Sequence, residues 1–474
     1  MTINVSTNND FAKIISSLPE SFQSDLVEFL TSTEELFHRD PATTDFATIE
    51  TAMIATVKKL GLGGLRSYLE QLDDGAPAIR RDGRSWHRLP PSKGSLTCLL
   101  GKVDYQRSRY RCGRMRNSVC PVDESLGLLE GSLTRPASKL AMYLMAECPP
   151  RNCHKLLQQA GGMTPSVTTL QRVLQETHWA WQNTTEEALV DIRAAEERPK
   201  EATSVAVSLD GAMVHLRPGE HPIGSEHGAN TSGGNWREAA CGTLSFHDKD
   251  GNTLRTISSG RMPEKNKLAL KKWLTQELEV VLSKRSDLTF VTVADGAPDN
   301  WSFLSRLASD AEVLDFYHAT SHLRGAAEHA HTSIKWFGKW RRILRHDHDG
   351  VKRVIGAIRG LRDRAKSAAA KKQLEVVLDY FYTHRHRMNY AVLSERGLPI
   401  GSGIVEAANK THLQERLKRS GMRWGMEGGQ AVLTFRSLVK SNRFDQAWDW
   451  IIKEIDNRSP DNDNWQQYYE QKAA

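Results

Sequence analysis

Residues 204–216 read SVAVSLDGAMVHL and residues 288–297 read LTFVTVADGA. Both are short apolar runs rich in β-branched residues, the pattern of strands buried on two faces of a sheet. Asp210 closes the first run directly before Gly211, and Asp295 closes the second directly before Gly296. Each carboxylate therefore stands at the carboxyl end of a core strand, where α/β sheets hold their ligands. A single Asp-Gly is an ordinary turn opener. Two of them, on strands that neighbour each other in the fold derived next, are harder to account for as turns.

Three further strands flank this pair: EAACGTLSFHD (238–248), TLRTISSGR (253–261) and VLDFYHA (313–319). The helical stretch NKLALKKWLTQELEVVLSKR (266–285) lies between the third and fourth strands. Three strands, a helix, a strand, a helix and a strand is the order of an RNase H-like α/β domain, which assigns 201–319 to the first part of such a core. From 320 to 400 strand signals vanish and Lys/Arg-rich helical sequence takes over, an all-helical insertion domain. Gly401-Ser402-Gly403 then opens the final helices of the core, 401–445, and 446–474 is an acidic C-terminal tail.

Upstream, Phe11, Ile14, Ile15, Leu26, Phe29, Leu30, Ile54, Val57 and Leu60 keep helical spacing, so 1–75 is a helical N-terminal region. The segment 76–130 is expected to hold a basic linker, Gly75 to Pro91, and then a hairpin over 95–111 turning at Gly101-Lys102. Residues 131–200 carry three short helices, with Gly161-Gly162 closing the second and Thr164 or Ser166 capping the third. That is the pattern of a helix-turn-helix, with Thr168, Thr169, Gln171 and Arg172 facing a major groove. An ordinary helical hairpin has the same pattern. The fold class is α+β.

The 474 residues are 39% apolar and 26% charged with a mean hydropathy of −0.51, and no run approaches the roughly 18 apolar residues of a spanning helix. The first thirty residues lack a basic start and a continuous apolar stretch, which argues against a secretory signal and for a cytoplasmic protein. Six cysteines are too few for a disulfide framework. Cys98, Cys112 and Cys120 lack the close pairing that a structural zinc needs, since Met115 stands three positions after Cys112.

The net charge of +7 is unevenly placed. Residues 1–74 hold 12 acidic against 5 basic side chains, whereas 80–119 hold 11 basic against Asp82 and Asp104. Further basic blocks span 332–372, with 13 Lys/Arg, and 406–443, with 8. One such block is a solvated face; three point to a polyanion, and nucleic acid is the obvious one. Arg107 and Arg109 on the hairpin, and Lys410, Arg416, Lys418, Arg419 and Arg423 downstream, are the candidate phosphate contacts. Trp424 is suited to stacking on an unpaired base or to core packing.

Glu406 opens the helix SGIVEAANKTHLQERLKRSG, where the positive end of the helix favours an ionised carboxylate. Three ionised carboxylates at one point repel unless divalent cations neutralise them, and Mg²⁺ or Mn²⁺ suits oxygen ligands. Two such ions about 4 Å apart activate a water or 3′-hydroxyl for in-line attack at phosphorus.

VSLDGAMV, VTVADGAPDNW, DFYHA and GSGIVEAANKTHLQERLKRSGMRW together resemble the bacterial insertion-sequence transposases of the Kra type, relatives of the Mutator-like DDE group. The likeness runs from the hairpin near 98, through CPVDESLGL (120–128), to Trp424, and is densest in GSG-x-VE followed by R-x-K-x-x-G-x-x-W. It implies a DNA transposase with a catalytic, metal-binding triad of Asp210, Asp295 and Glu406, and two bound Mg²⁺ or Mn²⁺ ions. Asp295 follows Asp210 by 85 positions and Glu406 follows Asp295 by 111, an interval that accommodates the helical insertion. Asp315 and His318 resemble the group's acidic-x-x-His motif, with His318 near the metals or the scissile phosphate; a hydrogen-bonded pair at a strand end is the other reading. The implied partners are double-stranded DNA, both element ends and target, and a second copy of the chain in a synaptic complex, in the cytoplasm on the nucleoid. The sequence departs from the resemblance at Cys112, which has no nearby second cysteine. A structure-specific nuclease of the same fold and an inactive DNA-binding regulator are the rivals.

Overall fold

The computed structural model describes residues 8–458 and residue 468, apart from 41–42, 82, 116, 130–131 and 224–234. The chain divides into two units, Met1–Thr177 with Ile455–Ala474, and His178–Glu454.

The first unit opens with helices α1 (Asn8–Ser17), α2 (Glu20–Phe37) and α3 (Phe46–Gln71). Asp45 caps α3 by accepting from the Thr48 N–H at 2.9 Å, which answers one of the free donors at a helix start. The expected linker is not a linker. Strands β1 (Ala78–Arg81) and β2 (Arg84–Arg88) form a hairpin turning at Gly83, which has φ +71°, and β2 pairs with the later two-residue β5 (Tyr110–Arg111). In β1 and β2 only Trp86 is buried, so the strands lack the apolar alternation by which a strand is read from sequence. Between them and β5 run β3 (Ser92–Cys98) and β4 (Gly101–Arg107). Cys98 pairs with Gly101, so this hairpin turns at Leu99-Leu100 rather than at Gly101-Lys102. Its period-two face, Leu96, Cys98, Val103 and Tyr105, joins Leu69, Cys120 and Val122 in a small core. Cys98 and Cys120 are therefore packing residues, and all six cysteines are free thiols.

Short α4 (Pro121–Ser125) precedes α5 (Arg135–Glu147), α6 (Pro150–Gly161) and the long α7 (Val167–Ala195), whose residues from His178 belong to the second unit. Gly162 ends α6 in the left-handed region at φ +69°. Ser166, not Thr164, caps α7, its hydroxyl accepting from the Thr169 N–H at 3.0 Å.

The second unit is built on a five-stranded sheet of β6 (Ser204–His215), β7 (Trp236–His247), β8 (Thr253–Arg261), β9 (Thr289–Ala294) and β10 (Ala311–Leu314) in the order β10-β9-β6-β7-β8. β6, β7 and β8 run antiparallel as a meander, and β9 and β10 add parallel on the other side of β6. This is the RNase H-like arrangement. Parallel addition requires crossovers, which α8 (Leu268–Lys284) and α9 (Pro298–Leu304) supply. Helix α8 covers one face: a Cβ at Gly242 would press on Leu274 and Leu270. On the other face Ala239 and Cys241 of β7 join Val214, Met262, Leu413 and Leu433. The sheet is covered on both sides, which is why its strands are almost continuously apolar.

The fifth strand is shorter than read: it stops at Leu314, and Asp315 instead caps α10 (Phe316–His329). The helical segment continues with α11 (Ile334–His346), α12 (Gly350–Arg364), α13 (Ala368–His384) and α14 (Tyr390–Glu395). The helix read from Ser402 is not uniform. It begins as α15 (Gly403–Ala408), widens into a π-helical segment Asn409–Gln414 and ends in α16 (Glu415–Leu417), before α17 (Met426–Lys440). The acidic stretch from 446 is not a tail at its start, because α18 (Phe444–Asp456) buries Ala447, Trp448, Ile451 and Ile455; residues 459–467 and 469–474 lie outside the described residues.

A buried charge network ties this unit's helices together. Arg443, 2% exposed, donates to Glu196 at 2.7 and 2.8 Å and to Glu277 at 2.8 and 2.9 Å, and Arg193 donates to Glu277 at 2.9 Å. Removing one partner of such a network leaves a buried charge uncompensated. Arg443→Leu is expected to lower the unfolding free energy by about 3 to 5 kcal/mol, read from the denaturation midpoint; a loss below about 1 kcal/mol would contradict this.

Candidate functional site

The printed pairing of β6 with β9 runs from Ser204 opposite Thr289 to Ser208 opposite Val293. Two residues further along each chain stand Asp210 and Asp295, so the two carboxylates leave neighbouring parallel strands, about 4.8 Å apart, at one level. Asp210 Oδ1 accepts from the Gly211 N–H at 2.7 Å and Oδ2 from Asn409 Nδ2 at 2.5 Å. Asp295 Oδ1 accepts from the Ala297 N–H at 3.1 Å and from Asn300 Nδ2 at 3.2 Å, and Oδ2 has no hydrogen bond among the described residues.

Glu406 sits in the first turn of α15, its side chain 45% exposed, with Oε1 3.6 Å from His318 Nδ1. Partial burial, then the charges of Asp315 and Asp210, raise its pKa, while His318 opposes them. Donor atoms of Asp315, His318 and Glu406 lie within 4.8 Å of one another. Asp315 nevertheless differs from the other three carboxylates. It is fully buried, Oδ1 accepts from the N–H of His318 at 2.5 Å and pairs with its Nδ1 at 3.0 Å, and Oδ2 accepts from the Ser402 N–H at 2.5 Å. Burial alone would raise the Asp315 pKa; the bonds from His318 and Ser402 outweigh it and lower it. Both oxygens are occupied in holding α10 to the start of α15. His318 in turn is raised to about 9, first by its bond to Asp315, then by the charges of Asp315, Asp295 and Glu406. A protonated imidazole is thus the cation nearest this cluster.

Asp210, Asp295 and Glu406 offer the hard oxygen donors that a divalent cation such as Mg²⁺ takes, and all three are at least partly accessible, but among the described residues the donor atoms that come within 4.8 Å of one another are those of Asp315, His318 and Glu406, without Asp210 or Asp295. Asn300 donates to Asp295 and to the Leu209 carbonyl, and its own oxygen accepts from Lys267 Nζ at 3.2 Å. Tyr380, from α13, approaches so closely that a Cβ at Gly296 would collide with its ring. Burial, then the charges of Asp295 and Asp315, raise its pKa, and its hydroxyl has no hydrogen-bond partner among the described residues. Asn300 and Asn409 were visible in the sequence only as polar residues five and three positions after Asp295 and Glu406; nothing marked Lys267 or Tyr380.

The remaining candidates divide. Lys410, Lys418, Arg419 and Arg423 are exposed. Arg416 is buried, its guanidinium 5.1 Å from the Trp424 ring centroid. Trp424 takes the packing role: its backbone pairs with His215 and Arg217 at 3.0 and 2.9 Å, its Nε1 donates to the Leu417 carbonyl, and its ring lies against the core. In the first unit, Thr168, Gln171 and Arg172 are exposed at the start of α7, while Thr169 bonds Ser166. Arg109 is exposed; Arg107 is half-buried in an ion pair with Asp123.

No family model matches the chain. It is similar to a UPF0236 protein of Caldanaerobacter subterraneus subsp. tengcongensis, 21% identical over 422 residues, which covers 84% of this chain and 76% of the relative. A second UPF0236 protein of that organism, whose name joins eleven locus designations, is 20% identical over 84% of this chain and 80% of its own length. Among solved structures, the Drosophila P element transposase strand transfer complex overlaps 71% of this chain and 86% of its own, at 11% identity and a TM-score of 0.26. Among the described residues, no helix is long and apolar enough to cross a membrane.

A histidine whose folded pKa lies above its unfolded value of 6.5 stabilises the fold fully below 6.5 and loses that contribution as pH rises through about 9. In EDTA-treated protein the thermal midpoint should fall between pH 6.5 and 9.5, and His318→Gln should flatten that interval. An identical slope in the variant would mean that another group titrates.

Proposed function

We propose that the chain is a DDE transposase: it binds the terminal repeats of its own element, cuts there and joins the freed 3′-hydroxyl to target DNA. The observation that carries this reading is the meeting of Asp210 and Asp295 at one level of the sheet, with Glu406 electrostatically coupled to Asp210. Three accessible carboxylates beside one imidazolium leave a negative site, which favours hard divalent cations. Bound there, Mg²⁺ supplies activation of the attacking oxygen and neutralisation of the leaving one. The chain's own residues would do the rest. Asn409 and Asn300 fix the rotamers of Asp210 and Asp295, and Asp315 orients His318 toward Glu406 and the phosphate. The exposed Lys410, Lys418, Arg419 and Arg423 supply phosphate contacts.

The relative whose name joins eleven loci supports the same reading, since an element that moves leaves copies of its gene at several places. The resemblance to Kra-type, Mutator-like enzymes belongs to this proposal, as do two metal ions, a dimer or larger assembly that pairs two ends, and residence on the nucleoid. A nuclease of the same fold would cut without joining, so strand transfer is the discriminating readout.

Asp210→Asn and Glu406→Gln are each expected to reduce Mg²⁺-dependent cleavage and joining at least a thousandfold while binding to end DNA persists. Glu406→Gln should also bind Mn²⁺ weakly by calorimetry. Asp315→Asn, whose oxygens serve His318 and Ser402, should keep metal affinity within a few-fold and lose turnover. The reverse pattern would make Asp315 the third ligand.

The α7 start generates a separate expectation. Replacing Thr168, Gln171 and Arg172 by alanine should lower the preference for end DNA over random DNA, each base contact being worth about 1 to 3 kcal/mol. Equal weakening on both DNAs, measured by competition, would exclude base reading there.

A further inference from the structure

A cavity of about 340 Å³ opens between α7, β8, α8 and α17, and His178, Trp181, Ser259, Arg261, Trp273 and Gln430 are among its lining residues. That volume lies at the lower end of small-ligand sites, about 300 to 1,000 Å³. Its polar groups do not balance. Arg261, the last residue of β8, has a shielded Nε with no partner, and its guanidinium makes no hydrogen bond or ion pair among the described residues. Burial lowers its pKa against the opposing charge of Glu264. Yet Glu264 is committed elsewhere, accepting from the backbone N–H groups of Ala269 at 3.3 Å and Leu270 at 3.0 Å at the start of α8.

His178 is 8% exposed and its Nδ1 also lacks a partner among the described residues. Burial, then the charge of Arg261, lowers its pKa to about 4, so it stands neutral beside the cation. Arg443 lines the same cavity and shows the contrast, since its guanidinium is answered by two carboxylates. A sheltered guanidinium whose nearby carboxylate is engaged by other donors is costly unless something completes its partners. Trp181 and Trp273, 5% and 8% exposed, give the cavity aromatic walls.

We infer that this cavity binds a small organic anion, a planar ring carrying one oxyanion group, with the oxyanion on Arg261 and Ser259 and the ring against Trp181 and Trp273. The neutral His178 imidazole adds a hydrogen bond to the ligand that a charged one would make at the expense of Arg261. Both phosphate and carboxylate present this oxyanion chemistry. The inference stands apart from the carboxylate site, so Asp210→Asn should leave it untouched.

The test is calorimetry on the full chain with three probes: 2′-deoxyadenosine 5′-monophosphate, indole-3-carboxylate and inorganic phosphate. Saturable binding of either ring-bearing probe, at least tenfold weaker in Arg261→Gln and unchanged in Asp210→Asn, is the expected result, and the tighter of the two identifies the oxyanion. Absence of saturable binding of both at millimolar concentration overturns the inference. So does equal affinity in Arg261→Gln, or inorganic phosphate binding as tightly as the better ring-bearing probe. Thermal unfolding of ligand-free Arg261→Met gives an independent reading. A midpoint equal to or above wild type is expected when an unanswered charge is removed; a fall of several degrees would show a structural guanidinium and overturn the assignment.

Discussion

The parallel pairing of β6 with β9 decides where negative charge gathers in the second unit. Asp210 lies inside β6, opposite Cys241 of β7, rather than at the strand end that the sequence suggested, and Asp295 directly follows β9; because the side-chain period of a strand is two, a register shift of one residue would turn one carboxylate to the opposite face. The register is held by strands buried on both faces, so the position of the acids follows from hydrophobic packing that has no chemistry of its own. Antiparallel pairing of the same two strands would have moved Asp295 away from Asp210, toward the start of β6. The long crossovers that parallel strands require then provide the helices that shield the sheet.

Packing that concentrates acids must also manage their repulsion, and it does so unequally. Asp315 is neutralised within the protein, by the imidazolium of His318 and by backbone donors on α10 and α15. Asp210 and Asp295 receive one amide side chain each, which fixes a rotamer without supplying charge. Glu406 stands 3.6 Å from the same His318 Nδ1 that already serves Asp315 at 3.0 Å. Asp315 is thus engaged on both oxygens in joining two elements, while Asp210, Asp295 and Glu406 remain partly accessible. This is the physical distinction between a carboxylate committed to packing and accessible ones whose residue types look alike in sequence.

The strands and their order were legible because double burial writes near-continuous apolar runs, and the aspartates were legible because they interrupt those runs. Other features left weaker traces. β1 and β2 bury one residue, Trp86, and so read as a linker. Asp315 follows an apolar run just as Asp210 and Asp295 do, but a helix starts directly after it, with the Phe316 N–H bonded to the Ile400 carbonyl 84 residues later. Tyr380 approaches Asp295, and Lys267 reaches Asn300 beside it, through tertiary packing alone, and no local pattern marks such residues. Trp424 was read as either stacking or packing; its backbone pairing with His215 and Arg217 is a long-range bond that spacing cannot express.

The π-helical segment Asn409–Gln414 has a consequence for how this chain tolerates change. Within it Asn409 faces Asp210, while His412 bonds Ser258 of β8 at 2.9 Å, so the wider turn presents two groups to two different strands at once. A π-helical turn holds one residue more than an α turn, so a single-residue deletion there would restore α geometry without turning the flanking helix, and the loss would fall on the groups that the wider turn presents. Helix continuity and site geometry therefore part company in these six positions: a chain one residue shorter would still form the helix but would no longer hold Asn409 on Asp210 and His412 on Ser258 together.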